Sequence, residues 1–206
     1  MKRLVLLLLM ASPFALTVGV QASGIDPVVQ YASTSTLNDT RPFTLGYSFT
    51  TSTTFNINAL GVWDSGSGQN EQVGIWDSLG NLLVSTTVSS AASDIDNFQW
   101  SSVGYSLAPG TYTIGATFDN AGGLVYFPWN AEGITTLAGY TWGTDEQLYG
   151  YGLNDPTTTT GGYGNNGILW ADFSVGSSVT PEPSSLLLFG TGLLGVAGAI
   201  RRKIKV

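Results

Sequence analysis

Carboxylates are the side chains of this sequence that could carry acid–base or metal chemistry, because the chain contains neither histidine nor cysteine. These absences exclude a cysteine nucleophile, a Ser-His triad, a disulfide framework, and zinc, haem or iron–sulfur ligation by those side chains. A glycosidase would need two carboxylates held ~5–9 Å apart. The sequence offers many acids, but no motif singles out such a pair. We therefore expect no catalytic residues and no enzymatic activity.

Two oxygen-rich segments are candidates for a calcium ion, which takes about six to eight oxygen ligands from carboxylates, amides and backbone carbonyls. One is Asp94-Ile95-Asp96-Asn97, and the other is residues 64–71. Neither follows the spacing of an EF-hand. Ordinary solvated turns have the same composition, so a calcium site at Asp94 and Asp96 and simple loop polarity are both open. No other cofactor is expected.

Tryptophan rings are the candidates for carbohydrate binding, because they combine a large apolar face with a polar edge. Trp170 lies opposite an apolar set on its own predicted strand, so it is either exposed or part of a second buried layer. Trp129 and Trp142 occur among glycine, asparagine and threonine, which favours an exposed loop platform. The alternative for all three is a place in the core, where large aromatic side chains usually lie.

Acidic residues dominate the central part of the chain. Between residues 23 and 180, thirteen carboxylates accompany one cation, Arg41, which leaves a net charge of −12. Such a surface repels nucleic acid, so nucleic-acid binding is excluded. Because no histidine is present, no side chain with an ordinary pKa titrates between about pH 5 and 8. The composition therefore predicts a stability that is nearly flat across this range.

The N-terminal residues 1–22 have the pattern of a secretory signal peptide. Lys2 and Arg3 precede a mostly apolar run over residues 4–16, and Ala22 is a small residue at the position that signal peptidase requires. We expect cleavage between Ala22 and Ser23. The partners that this segment implies are the Sec translocon and signal peptidase.

The C-terminal residues have three parts: a linker at 177–183, an uncharged run at 184–200 and a basic tail at 201–206. As a helix, the run would span roughly 26 Å, which is near the lower limit for crossing a hydrocarbon core of ~30 Å. Basic residues next to a span stay on the cytoplasmic side. Because both ends are basic, the chain between them is predicted to lie outside the inner membrane.

This C-terminal segment resembles the PEP-CTERM sorting signal of exported proteins in Gram-negative bacteria. The resemblance depends on the motif Pro181-Glu182-Pro183, the apolar run, and a terminal basic cluster formed by Arg201, Arg202 and Lys203. It implies processing by an exosortase, a transient inner-membrane stage, a final place at the cell surface or in the extracellular matrix, and a host that makes exopolysaccharide. An ordinary C-terminal membrane tail is the alternative.

Residues 23–176 show the period-two alternation of apolar residues that is typical of strands with one buried face. The apolar phase slips within residues 55–63, which predicts a β-bulge near Ala59. Residues 77–81 predict a hairpin, and residues 108–111 predict a type II turn with Gly110 at its third position. Short strands joined by short loops favour an all-β fold, an antiparallel β-sandwich of the jelly-roll-like type.

Several of these strand segments resemble a recurring β-sandwich domain of exported PEP-CTERM proteins whose function is unknown, over most of residues 40–175. That resemblance implies the sandwich and no chemistry. The expected function is a structural or adhesive role at the cell surface or in the matrix, linked to exopolysaccharide. The alternatives are a carbohydrate-binding module, which could be calcium-assisted, and a secreted hydrolase.

Overall fold

The computed structural model describes residues 24–118, 125–159 and 168–176. Regular secondary structure in these ranges consists of strands, as the sequence pattern predicts. No helix in the described residues is long and apolar enough to cross a membrane. The predicted signal peptide and its Ala22–Ser23 cleavage site, the Pro181–Pro183 motif, the predicted span at 184–200 and the Arg201–Lys203 cluster all lie outside the described residues.

In chain order, the strands are β1 (Val29–Gln30), β2 (Ser33–Asp39), β3 (Phe43–Thr51), β4 (Phe55–Trp63), β5 (Glu71–Asp77), β6 (Leu82–Val88), β7 (Asp94–Ile95), β8 (Phe98–Leu107), β9 (Gly110–Phe118), β10 (Val125–Glu132), β11 (Thr135–Thr136), β12 (Tyr140–Tyr149), β13 (Thr158–Thr159) and β14 (Ala171–Val175).

Two large antiparallel sheets organise these strands. The six-stranded sheet has the order β13-β12-β3-β9-β5-β6, and the four-stranded sheet has the order β14-β4-β8-β7. Two small antiparallel pairs, β1-β11 and β10-β2, accompany them. The chain changes from one large sheet to the other between β3 and β4, β4 and β5, β6 and β7, β8 and β9, and β13 and β14. The predicted all-β, antiparallel β-sandwich is confirmed.

The core lies between the two large sheets. Aromatic rings join them: Phe49 of β3 lies 5.4 Å from Phe173 of β14, and Phe118 of β9 lies 5.1 Å from Trp170, measured between ring centroids. Leu45, Tyr47 and Phe49 of β3 are buried as predicted, but the alternate residues Thr44 and Gly46 are buried too, so the other face of this strand is also covered. The aromatic rings anchor the packing, since aromatic side chains bury the largest apolar areas.

Strand β14 differs from the sequence prediction, because both of its faces are buried. The backbone N–H of Val28 donates to the Phe173 carbonyl oxygen at 3.0 Å, and that of Asp26 donates to the Ser174 hydroxyl at 2.7 Å. The N-terminal segment thus covers the outer edge of β14. As a result Asp172 and Ser174 are fully buried opposite the apolar face.

Two local predictions are confirmed. The pairing of β4 with β8 shifts register between Ile57 and Ala59, which is the predicted bulge. Strands β5 and β6 form the predicted hairpin, in which the Asp77 carboxylate accepts from the backbone N–H of Leu79 and Gly80 has a φ of 80°. Both features depend on near neighbours in sequence, which explains why the pattern indicates them.

The predicted type II turn at residues 108–111 is wrong. A type II turn needs a positive φ at its third position, and Gly110 lies outside that region because it already begins β9. The connection instead carries the chain from one large sheet to the other. The Thr51 hydroxyl fixes it by donating to the Ala108 carbonyl at 3.0 Å and accepting from the Gly110 N–H at 3.2 Å.

A row of three glycines crosses the outer face of the six-stranded sheet. Gly46 of β3 pairs with Gly115 of β9, which in turn pairs with Gly74 of β5. A Cβ on Gly115 would lie 2.9 Å from Pro156, and one on Gly74 would lie 3.1 Å from Leu153. The absence of side chains in this row therefore allows residues 153–156 to pack closely on the sheet.

Candidate functional site

The cleft that best combines apolar and polar groups lies beside β2, β3 and β12, and we name it the Arg41 cleft. It encloses a volume of about 160 Å³. Strand β2 contributes both to its apolar floor and to its polar rim. The floor is formed by Leu37, Phe43, Leu45, Phe127 and Ile168, and the rim is formed by Asn38, Asp39, Arg41, Gln147 and Tyr149.

The short connection from β2 to β3 fixes the charged part of the rim. Asp39 Oδ1 accepts from the backbone N–H of Thr40 at 2.7 Å and from that of Arg41 at 2.9 Å. Aspartate commonly closes a turn by accepting from the backbone just after it. The Pro42 carbonyl then accepts from the Gly150 N–H at 3.0 Å. The connection is thus attached to the end of β12 and is held in place on both sides.

Arg41 and Asp39 form a two-pronged ion pair. Arg41 Nη2 lies 2.6 Å from Asp39 Oδ2, and Arg41 Nε lies 3.0 Å from Oδ1. This hydrogen bonding lowers the pKa of Asp39 and raises the pKa of Arg41. Both groups are therefore ionised, and the pair presents donors and acceptors with no net charge.

Tyr149 forms the aromatic side of the cleft. It lies opposite Phe43 in the β12–β3 pairing, and the two rings meet edge to face at 6.0 Å. The Arg41 guanidinium lies 4.7 Å from the centre of the Tyr149 ring, a distance at which cations and aromatic faces attract. Half of the Tyr149 surface remains exposed. The Gln147 amide donates to the Tyr149 hydroxyl at 3.4 Å.

A second cleft, of about 150 Å³, lies beside Tyr31. The Tyr31 hydroxyl accepts from Trp63 Nε1 at 3.2 Å, and burial raises the pKa of Tyr31. Asp96 and Asn97 line this cleft. Its lining includes no cation, so it has fewer strong donors than the Arg41 cleft.

The calcium candidates Asp94 and Asp96 are exposed and lie on the hairpin between β7 and β8. Asp96 and Asn97 have φ values of 56° and 66°, which is the pattern of a two-residue type I′ turn. No group of three or more acids that could hold a metal ion occurs within the described residues. Calcium binding here stays a prediction.

The three candidate tryptophans have different environments. Trp170 is completely buried, and its Nε1 donates to the Thr117 carbonyl at 2.9 Å. The proposal that it stacks on sugar is therefore wrong, because no face of the ring reaches solvent. Trp129 and Trp142 were expected on loops, but Trp129 lies in β10 and Trp142 lies in β12. Both are half-buried, and a sugar-binding role for them stays a prediction.

Trp142 also contacts a buried polar cluster. Its ring stacks on Tyr47 at 4.0 Å. The Tyr47 hydroxyl donates to Asp172 Oδ1 at 3.4 Å, and the backbone N–H groups of Val29 and Phe173 donate to the same carboxyl group at 3.3 Å and 2.8 Å. Burial nevertheless raises the pKa of Asp172 well above its ordinary value. Asp172 thus changes the expectation of a pH-independent stability.

No sequence pattern marks Arg41 as a functional residue or Asp172 as a titrating one. Arg41 had one visible signal, since it is the sole cation between residues 23 and 180. Its partners Gln147 and Tyr149 lie more than a hundred residues further along the chain, and no local pattern connects them. Asp172 appeared to be an outward residue of an alternating strand, and the cover provided by residues 26–29 is a long-range contact.

Together, the fold and the C-terminal sequence define the class of protein. Residues 179–203 match the family model of the PEP-CTERM protein-sorting motif, which confirms the resemblance noted from the sequence. No curated protein and no solved structure matches the chain. The chain is an exported β-sandwich protein. It carries a PEP-CTERM sorting motif, which implies passage through the general secretion machinery, a transient membrane-anchored stage and processing by an exosortase.

Proposed function

We propose that this exported protein binds extracellular polysaccharide through the Arg41 cleft and acts as an adhesive or structural component of the cell surface or matrix. The observation that carries this proposal is the neutral Asp39–Arg41 pair beside the half-exposed Tyr149 ring, above an apolar floor. Ligand sites typically combine an apolar lining with a few convergent polar groups.

Sugar chemistry suits this arrangement. A sugar hydroxyl both donates and accepts hydrogen bonds, so neighbouring hydroxyls can accept from the guanidinium of Arg41 and donate to Oδ2 of Asp39, since Oδ1 already accepts three hydrogen bonds. Charge-assisted hydrogen bonds of this kind are stronger than neutral ones. The amides of Asn38 and Gln147 add both donors and acceptors at the same rim.

The same cleft favours binding over hydrolysis, and we propose that the protein is not an enzyme. A glycosidase uses two carboxyl groups, one of which is protonated because its pKa is raised. Asp39 is the single acid among the residues that line the cleft, and its pKa is lowered. It is therefore ionised and unsuited to act as a general acid.

Truncating the rim should weaken sugar binding. We expect Arg41→Ala and Tyr149→Ala each to reduce affinity about tenfold or more, equivalent to ~1.4 kcal/mol. Binding is measured for the surface-extracted protein against soluble glucan, galactan, mannan, alginate and polygalacturonate. Tyr151→Ala is the matched control, because Tyr151 is 76% exposed and does not line the cleft. Equal losses in all three variants, or none in the first two, would contradict the proposal.

Sorting should leave a mature protein that is shorter at both ends. We expect it to begin at Ser23 and to lack the apolar run over residues 186–200 together with the basic residues that follow, because signal peptidase and the exosortase act near these sites. Intact-mass measurement of surface-extracted protein tests this. A mature form that retains residues 201–206 would indicate a permanent membrane anchor instead.

A further inference from the structure

We infer that the Arg41 cleft recognises a single neutral sugar unit, at a chain end or on a branch, and discriminates against acidic sugars and against the interior of a linear chain. This inference rests on the proposed function and narrows it to one class of ligand. Size, charge and hydrogen-bonding capacity support it independently.

The volume of the cleft matches one ring. An apolar cavity of ~150 Å³ is large enough to hold benzene, a single six-membered ring. The Arg41 cleft, at about 160 Å³, is of the same size, and it is smaller than the ~300–1,000 Å³ of sites for drug-sized ligands. A hexopyranose has about twice as many heavy atoms as benzene, so this space admits at most one sugar ring with its hydroxyls at the open rim, whereas successive units of a linear chain would need an open groove. A ring that enters must therefore be terminal or a branch.

The charges of the cleft oppose an acidic sugar. Arg41 is already paired with Asp39 through both prongs of its guanidinium. No second cation lies between residues 23 and 180, where thirteen carboxylates give a net charge of −12. A uronate carboxylate in the cleft would thus approach Asp39 without a free positive charge to compensate it. Like-charge contact of this kind lowers affinity and selects against such ligands.

The remaining groups suit an uncharged ring. Phe43 and Phe127 are buried in the floor and offer apolar contact to the C–H face of a sugar. Gln147 and Asn38 at the rim provide amide donors and acceptors for hydroxyls. Apolar surface below and polar groups around the rim match a molecule whose faces are apolar and whose edge is polar.

The test compares methyl glycosides of neutral hexoses with methyl glycosides of uronic acids, each titrated into surface-extracted protein. We expect neutral monosaccharides to bind and to compete with a neutral polysaccharide, with no gain beyond about threefold from a linear trisaccharide. Their affinity should not change with sodium chloride, because no net charge is neutralised. Uronides should show no measurable binding.

The variant Asp39→Asn gives the sharpest outcome. It keeps an oxygen that can accept from the backbone of Thr40 and Arg41, but it frees the guanidinium charge. We expect neutral sugars to bind about tenfold more weakly and uronides to bind measurably and with salt sensitivity. A melting curve close to that of the unmodified protein shows that the variant is folded.

The outcomes distinguish the inference from the function on which it rests. Preference of the unmodified protein for uronides, or binding of long chains without binding of monosaccharides, would overturn the inference and leave polysaccharide binding in place. Failure of every glycan to bind would overturn both. An Asp39→Asn variant that loses neutral sugars without gaining uronides would show that charge pairing does not set the specificity.

Discussion

Replacing Asp172 by asparagine is expected to remove most of the pH dependence of stability. Burial raises the pKa of Asp172 well above the ordinary value, so the folded state retains a proton that the unfolded chain releases. The stabilising contribution is fully present below the unfolded pKa of ~3.9 and is lost as the pH rises through the folded pKa. Between these values the free energy of unfolding should fall by about 1.4 kcal/mol per pH unit.

Other carboxyl groups also contribute to the pH dependence of the free energy of unfolding. Burial also raises the pKa values of Glu146 and Asp155, which adds a smaller slope of the same sign. Hydrogen bonding lowers the pKa values of Asp39 and Asp77. These two groups lose their stabilising contribution as the pH falls through their folded pKa values. Stability should therefore be greatest in mild acid and should decrease towards neutral pH.

When the free energy of unfolding is plotted against pH, the curves of Asp172→Asn and of the unmodified protein should converge or cross. The amide nitrogen would face the Val29 N–H, which now donates to the carboxyl group, and losing that bond costs about 1–3 kcal/mol at every pH. The variant should thus be less stable in acid and should approach or exceed the unmodified protein as pH rises. Denaturant unfolding across pH measures this. Tyr140→Phe retains the carboxyl group and should retain the slope; parallel curves for Asp172→Asn would refute the assignment.

Replacing Gly46 by alanine should destabilise the protein strongly. The added Cβ would overlap the Ile114 carbonyl oxygen and lie 2.6 Å from the Gly115 Cα. Both are backbone atoms of the neighbouring strand β9, so relief requires the ladder itself to move. Overpacking costs typically 1–3 kcal/mol and more where no side chain can yield. We expect a loss of about 3 kcal/mol or more, which is a decrease in melting temperature of roughly 10 °C.

Gly104 provides a matched control on strand β8. No atom lies within 4 Å of a Cβ built on it, so Gly104→Ala should change stability by less than about 0.5 kcal/mol. Gly115→Ala should fall between the two, because the atoms nearest its Cβ are side-chain atoms of Pro156 and Thr44 at 2.9 and 3.0 Å. A Gly46→Ala variant as stable as Gly104→Ala would show that the strands separate easily at this row.

Local features of the fold could be predicted from the sequence because their causes are local. The bulge between Ile57 and Ala59 appears as a slip in the apolar phase, and the hairpin at Asp77 appears as a run of turn-forming residues. The turn at Gly110 could not be predicted in this way. Its geometry depends on the Thr51 hydroxyl, a contact 59 residues away in the chain.

The candidate site was harder to predict for the same reason. Asp39 and Arg41 are neighbours, but Tyr149 reaches them only because β12 pairs with β3. Trp170 looked like a binding residue because its strand alternates, and an alternating strand ordinarily exposes one face. The Trp170 ring instead packs against Phe118 of the opposite sheet, and residues 26–29 bury Asp172 and Ser174 on the face that was expected to be exposed. The alternation of β14 therefore predicts the strand correctly, but it also predicts an exposed face that is in fact buried.

The scarcity of basic residues around Arg41 affects how proteases can cleave the protein. Trypsin-like proteases cleave after lysine or arginine, and between residues 4 and 200 the chain offers them Arg41 alone. The next residue is proline, which these proteases do not accept after the cleaved bond. The whole exported domain therefore lacks a usable tryptic site even when it is unfolded. After export the domain would resist trypsin-like enzymes even where it is unfolded, so this resistance comes from its sequence as well as from its folding.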